Sequence, residues 1–257
     1  MTTLEQQAFA FAQQVEQDTF RMANLSVQEL IDCDDTADQG CTGGNPLLAF
    51  FYIHQYGLTT WQEYPYQATE GTCRMDLVSH PMATVTSWGL LPKNYEHAIA
   101  LTLRYLGPVA VGVNGGDPAF ISYMGGIFDK INCSQTANHA MLIVGYGQEE
   151  IRNRATGNQE VVKYWIVRNS WGTGWGEKGF VRVKRGDGKK GTRGVCGIAK
   201  SPSVALGGLL LPKRQPPILS QWDDEKATSS SESTVRKSFL PFCQRLIWQE
   251  QCNGLAR

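Results

Sequence analysis

Two apolar runs in the second half of the chain do most to limit how it folds: AMLIVGYG from Ala140 and VVKYWIVRN from Val161. Neither alternates apolar with polar residues as a strand with one wet face does, so each reads as a strand covered on both sides. A sheet covered twice needs apolar partners, and the first third of the chain offers them as helices. Leu4, Ala8, Phe11, Ala12 and Val15 fall at steps of three and four, which predicts a helix running to about Met22. Ser26 followed by VQELI predicts a second helix, with Ser26 as N-cap and Glu29 completing a capping box. Leu47 to Tyr56, closed by Gly57, predicts another. From about Thr84 the texture changes to short runs, ATVTSW, PVAVGV and GFVRVKR beside the two long ones, separated by Gly and Asn turns. Helices first and strands afterwards imply an α+β fold rather than alternating βαβ units. Between the long runs, QEEIRNRATGNQE predicts a charged hairpin projecting into solvent.

With 257 residues and 42% hydrophobic content the chain has enough apolar surface for one large core or two modest ones. Its 24 basic and 24 acidic residues are well mixed, which argues against nucleic acid or an anionic membrane as partner. No apolar run approaches the roughly 20 residues that span a bilayer, and the opening MTTLEQQ does not read as a secretory signal. After Ser203, PKRQPP and DDEKATSSSESTVRKS read as a disordered linker, too poor in apolar surface to offset ordering entropy. The last apolar stretch, carrying Cys243 and Cys252, reads as a short helix or as an appended peptide with no fold of its own. Seven cysteines form an odd set, either a disulfide framework short of a partner or buried thiols of a reducing compartment. None of them is in a zinc-ribbon pattern, and no metal or cofactor is expected.

His139 opens the first long run, where solid packing holds an imidazole rigidly. Asn169 ends the second, followed by Trp171 and a Gly-rich turn with Trp175. An asparagine carboxamide accepts a hydrogen bond from an imidazole N–H and so fixes tautomer and ring orientation without adding a full charge. A lone histidine such as His54, His80 or His97 reads as structural, and by periodicity alone Asn169 is equally a turn residue and the tryptophans plain core. Taken together, the two features point to a catalytic base and its orienter.

LSVQELIDCDDTADQGCTGG, YPYQATEGTC, NHAMLIVGYG, YWIVRNSWGTGWGEKGF and GVCGIA together resemble the papain-like cysteine peptidases, in order and approximate spacing over roughly residues 8 to 201. The resemblance implies a two-lobed α+β fold: a helical lobe over 1–90, a β-barrel-like lobe over 91–203 carrying His139 and Asn169, an active-site cleft between them, and an extension over 204–257. It implies a cysteine that attacks a peptide carbonyl, His139 as base and acid, Asn169 as orienter and Trp171 as a shield over the Asn–His contact. Gly43 and Gly44 pair through their main chain with an extended polypeptide substrate, and Ser201 sits at the floor of the specificity pocket. Cys33 pairs with Cys73 and Cys133 with Cys196, while Cys41 is left unpaired because its usual partner, just before the nucleophile, is absent. A monomer in a lysosomal, vacuolar or extracellular compartment follows.

One departure stands against that pattern. The family signature continues to a glutamate ten residues after the nucleophile, and counting back from Glu16 places the nucleophile at Gln6 and its tryptophan at Gln7. His139 then lies 133 positions after Gln6, inside the family's window of about 130 to 150. A carboxamide is no nucleophile near neutral pH. The upstream oxyanion glutamine and the N-terminal strand are missing too, so the chain as written is expected to be inactive: a gene product with a displaced start, or a non-catalytic homologue that binds peptides or a partner. A transglutaminase-like Cys-His-Asn enzyme shares the chemistry but not the TGG, NSWG and YPY motifs.

Overall fold

The computed structural model describes residues 24–35, 38–130, 132–152 and 157–211. The helix expected over residues 4–22, Gln6 and Gln7 within it, and the C-terminal tail with Cys243 and Cys252 lie outside the described residues.

Seven strands form one sheet: β1 (Ala83–Leu90), β2 (Val109–Val113), β3 (Ile127–Phe128), β4 (His139–Arg152), β5 (Gln159–Arg168), β6 (Phe180–Lys184) and β7 (Ser203–Leu210). Their order is β1-β7-β2-β4-β5-β6-β3, antiparallel except for the short β3–β6 pair. The order has two ends, so the barrel-like arrangement expected of this half is an open sheet. Five helices accompany it among the described residues: α1 (Val27–Cys33), α2 (Pro46–Tyr56), α3 (Met75–Val78), α4 (Glu96–Tyr105) and α5 (Pro118–Ile121). The class is α+β.

The apolar runs are continuous because successive residues serve different cores. On β2, Ala110 joins the cluster built by α1 and α2 with Leu30, Phe50 and Ile53, while Val109, Val111 and Val113 join a second cluster. On β4, Leu142 faces the first cluster, and Met141 and Ile143 face the second with Trp165, Val167 and Val181. Side chains alternate across a strand, so both faces of the sheet need apolar residues.

Ser26 caps α1 by accepting a hydrogen bond from the Glu29 amide at 3.0 Å. Only half of the expected capping box forms. The Ser26 amide bonds instead to the Thr59 carbonyl, and the Glu29 carboxylate accepts from the Thr59 amide at 2.8 Å. α2 starts at Pro46 behind the Asn45 cap and stops at Gly57, whose φ of 75° lies in the left-handed region that favours glycine. The expected hairpin is the long β4–β5 pair, in register to Arg152 opposite Gln159.

Two elements differ from the sequence reading. β7 carries the sheet to Leu210, beyond residue 204, where the extension was expected to begin. Its Gly-Gly pair resembles a linker, and its partner β1 lies more than a hundred residues away, so no local pattern announces it. α4 interrupts a region read only as strands. It is anchored by buried Glu96, whose carboxylate accepts hydrogen bonds from the Trp165 indole at 3.0 Å and the Gly186 amide at 2.8 Å.

Cys33 is bonded to Cys73 and Cys133 to Cys196. Cys41 is also disulfide-bonded, which overturns the expectation of an unpaired thiol. That expectation considered only the lost family partner, whereas the chain carries further cysteines at 243 and 252.

Candidate active site

Register brings the two catalytic candidates to the same end of adjacent strands. His139 is the first residue of β4, opposite Val113 of β2, and Asn169 follows the last residue of β5. Both share the odd-numbered parity of Met141, Trp165 and Val167, which places them at the margin of the second core. Asn169 is fixed through its own amide, which donates to the Gly179 carbonyl at 2.9 Å.

The His139 Nε2 lies 2.8 Å from Asn169 Oδ1. That same oxygen accepts from the Ser170 amide at 2.7 Å. A backbone N–H only donates, so the atom facing it is the carbonyl oxygen of the carboxamide, and Nε2 must carry the hydrogen. The neutral ring then keeps its lone pair on Nδ1, free to take a proton. Trp171 lies over the imidazole with ring centroids 4.9 Å apart, and it packs edge-on against Trp175 and Phe120. The Trp175 indole donates to the Ile121 carbonyl at 3.0 Å, which ties α5 to this aromatic wall.

His139 is only 8% exposed. Burial pushes its protonation down to about 4, and the Asn169 bond offsets part of that. An uncharged base is therefore what this pocket holds at neutral pH.

Gly115 was not singled out in the sequence, yet a Cβ there would lie 2.7 Å from the His139 Cβ. The Gly115 amide donates to Asn138 Oδ1 at 2.8 Å, and the Asn138 amide donates to the Val113 carbonyl. A small residue is thus required beside the imidazole, and the only sequence signal was an Asn-Gly-Gly run after a buried strand.

The loop between α1 and α2 carries Gly43 and Gly44. The Gly43 carbonyl accepts from the Gln39 amide at 2.7 Å, whereas the amide and carbonyl of Gly44 make no hydrogen bond among the described residues. Ser201 lies half-buried in the bend before β7 and makes no hydrogen bond to His139 or Asn169. Among the described residues no group of three or more His, Cys, Asp or Glu side chains is arranged to hold a metal ion, and no helix is long and apolar enough to cross a membrane.

Comparison with known proteins bears on this geometry. A family model described as "Papain family cysteine protease" matches residues 7–206. The chain is 36% identical over 195 residues to the thiol protease SEN102 of Hemerocallis sp., covering 76% of this chain and 51% of that protein. It is 40% identical over 190 residues to the cysteine endopeptidase Rep1 of Oryza sativa subsp. japonica, covering 73% and 48%. The chain spans about half the length of these curated relatives. Among solved structures it is similar to the Carica candamarcensis cysteine protease CMS1MS2 in complex with E-64, with a TM-score of 0.67 and 32% identity, covering 80% of this chain and 86% of that one. It is likewise similar to the bromelain protease of Ananas comosus in complex with the E64 inhibitor, with a TM-score of 0.68 and 31% identity, covering 80% and 88%. A sheet that sets His139 against Asn169 under Trp171, in a chain matched over residues 7–206, belongs to the papain family of cysteine proteases.

Proposed function

We propose that this protein carries the base and orienter of a Cys-His-Asn peptidase, acting on polypeptides, and that Gln6 occupies the position of the attacking thiol. The observation that carries this reading is the His139–Asn169 bond, with Asn169 Oδ1 fixed by the Ser170 amide. Opposite a cysteine, the Nδ1 lone pair takes the thiol proton, and the imidazolium and thiolate then stabilise each other. The thiolate attacks the peptide carbonyl, the imidazolium gives its proton to the leaving amine, and His139 then draws a proton from water as the acyl-enzyme is hydrolysed. With a carboxamide at position 6 no thioester forms, so the chain as it stands does not cleave peptides. Its disulfides fit an oxidising compartment, vacuolar, lysosomal or extracellular.

The unengaged main chain of Gly44 favours a second reading, in which the protein binds extended peptides without cutting them. A chain with Gln6→Cys and Gln7→Trp separates the two. Labelling by E-64 at position 6, together with peptide hydrolysis that His139→Ala abolishes, is the expected result. Burial alone holds His139 low, so gaining a thiolate partner must also raise its pKa, read by NMR of the imidazole nitrogens. Hydrolysis by the unaltered chain that depends on His139 would sink the assignment of Gln6. A double variant that binds peptide but takes no label favours the binding reading.

A further inference from the structure

Two tripeptides of the form Asn-x-Ser stand in the sequence, Asn24-Leu25-Ser26 and Asn132-Cys133-Ser134, both within the described residues. That pattern is the acceptor for an N-linked oligosaccharide in the secretory pathway. Three residues recur easily by chance, so the surroundings must decide. The two differ at the hydroxyl. Ser26 is fully buried, its Oγ donating to the Tyr64 carbonyl and accepting from the Glu29 amide, and Leu25 beside it pairs with Thr60. Ser134 is exposed, and its Oγ accepts from the Thr136 amide at 3.3 Å. Asn132 is exposed in a turn, and its carboxamide makes no hydrogen bond among the described residues. Both polar side chains of the second tripeptide thus face solvent, while Cys133 between them is buried, 4% exposed, in its bond with Cys196. Thr136 is exposed as well, so a sugar on Asn132 displaces no packed side chain there.

We propose that Asn132 carries an N-linked glycan, attached before Cys133 pairs. The co-reactant is an oligosaccharide on a polyprenyl diphosphate, delivered by a membrane-bound transferase. The Asn132 Nδ2 bonds to C1 of the first sugar and the C1–O bond to the diphosphate breaks. The polyprenyl diphosphate leaves with that electron pair, and the displaced Nδ2 proton goes to solvent. Order matters because the transferase must grip the tripeptide's main chain, which pairing fixes. In the folded chain the Cys133 amide donates to the Lys130 carbonyl at 3.2 Å. Asn114 holds both halves of the bridge: its Nδ2 lies 3.9 Å from Cys133 Sγ, and its amide donates to the Cys196 carbonyl at 3.0 Å. Cys196 follows Cys133 by 63 residues, so at about 5–20 residues per second the tripeptide is available for about 3–13 s before its partner has been made.

That the chain meets the transferase rests on the oxidising compartment named under Proposed function; the accessibility of Asn132 does not. The test therefore has two arms. In the first, the full chain is translated into rough microsomes behind a cleavable leader and run on a gel before and after endoglycosidase. The unaltered chain shows an endoglycosidase-sensitive step that is lost in Asn132→Gln and Ser134→Ala and kept in Ser134→Thr and Asn24→Gln. The gel reads attachment alone, so a variant that fails to fold still reports. Cys196→Ala should leave the step at unchanged intensity, because the sugar precedes pairing. A pattern that Asn132→Gln leaves unaltered overturns the site. A step that strengthens in Cys196→Ala overturns the order, since pairing would then compete with the transferase. In the second arm the protein from its own cells is treated with endoglycosidase in heavy-oxygen water, and Asn132 is expected as labelled aspartate in the peptide masses. Unlabelled Asn132 beside an intact Cys133–Cys196 bridge overturns the glycan while the compartment stands. Unlabelled Asn132 with both thiols free overturns the glycan together with the compartment.

Discussion

The layer formed by α1 and α2 and the opposite core of the sheet bury their polar groups by different means. Beside α1 and α2, carboxylates clamp backbone: Glu29 takes the Thr59 amide, Asp32 takes the Gly71 amide and the Tyr64 hydroxyl, and Asp38 takes the Asn45 amide. Across the sheet, large aromatic rings fill the space. Trp165 is fully buried, and Phe120, Tyr123, Phe128, Trp171 and Trp175 form one contiguous wall. The first arrangement suits a layer whose loops must be shaped. The second suits a base that must not move, because packed rings have few alternative positions.

The largest effect expected from this contrast follows loss of Trp165. Its indole both fills the second core and donates to Glu96, the buried anchor of α4. Burial already raises the Glu96 carboxyl, and the indole works against that rise. Trp165→Ala should cost about 3–5 kcal/mol through the cavity alone, with a further loss because Glu96 Oε1 loses its donor while Oε2 keeps the Gly186 amide. Urea unfolding measures it. A loss under about 1 kcal/mol would show that this core is not the rigid half.

The two regions should also answer pH in opposite directions. His139 has its protonation depressed to about 4, so between its unfolded value near 6.5 and 4 the unfolded chain binds the extra proton. Its contribution is present above 6.5 and lost as pH falls through 4, about 3 kcal/mol at most. Glu29 is raised by burial from 4.5 to about 7, so here the folded chain binds the extra proton. Its contribution is present below 4.5 and lost as pH rises through 7, again about 3 kcal/mol at most. Thermal melts from pH 4 to 8 should therefore lose their acid limb in His139→Gln and flatten toward neutral pH in Glu29→Gln. Two variants that shift the whole profile in parallel would break the comparison.

What the sequence disclosed divides along the same line. β4 was legible because its first half is buried on both faces and reads as an unbroken apolar run, and β5 because of its dense β-branched and aromatic residues, although one of its faces is half-exposed; His139 and Asn169 stand at the ends of those runs. The α1 cap was legible because it is local in sequence. β7 was not, since it contains two glycines and draws its order from distant β1. α4 escaped because its anchor, Glu96, looks like a surface acid until Trp165 arrives from a strand 69 residues away. Gly115 beside His139 was hidden for a related reason: its meaning is a close approach, which no pattern of residue types records.

The smallest of these effects concerns Ser26, within the helical layer. Its hydroxyl is fully buried, donating to the Tyr64 carbonyl at 2.7 Å and accepting from the Glu29 amide at 3.0 Å. An exposed N-cap needs only to accept, and water replaces it when it is removed. Here both partners are buried and no water substitutes, so Ser26→Ala should cost about 1–2 kcal/mol, the upper part of the range for caps. Ser26→Thr keeps both bonds and should recover most of the loss, provided the added methyl group is accommodated beside Tyr64. The readout is the urea midpoint at unchanged slope. A loss of only a few tenths of a kcal/mol would mean that the bond to Tyr64 adds nothing. The clamps of the helical layer would then act singly, with Glu29 holding Thr59 regardless of how α1 begins.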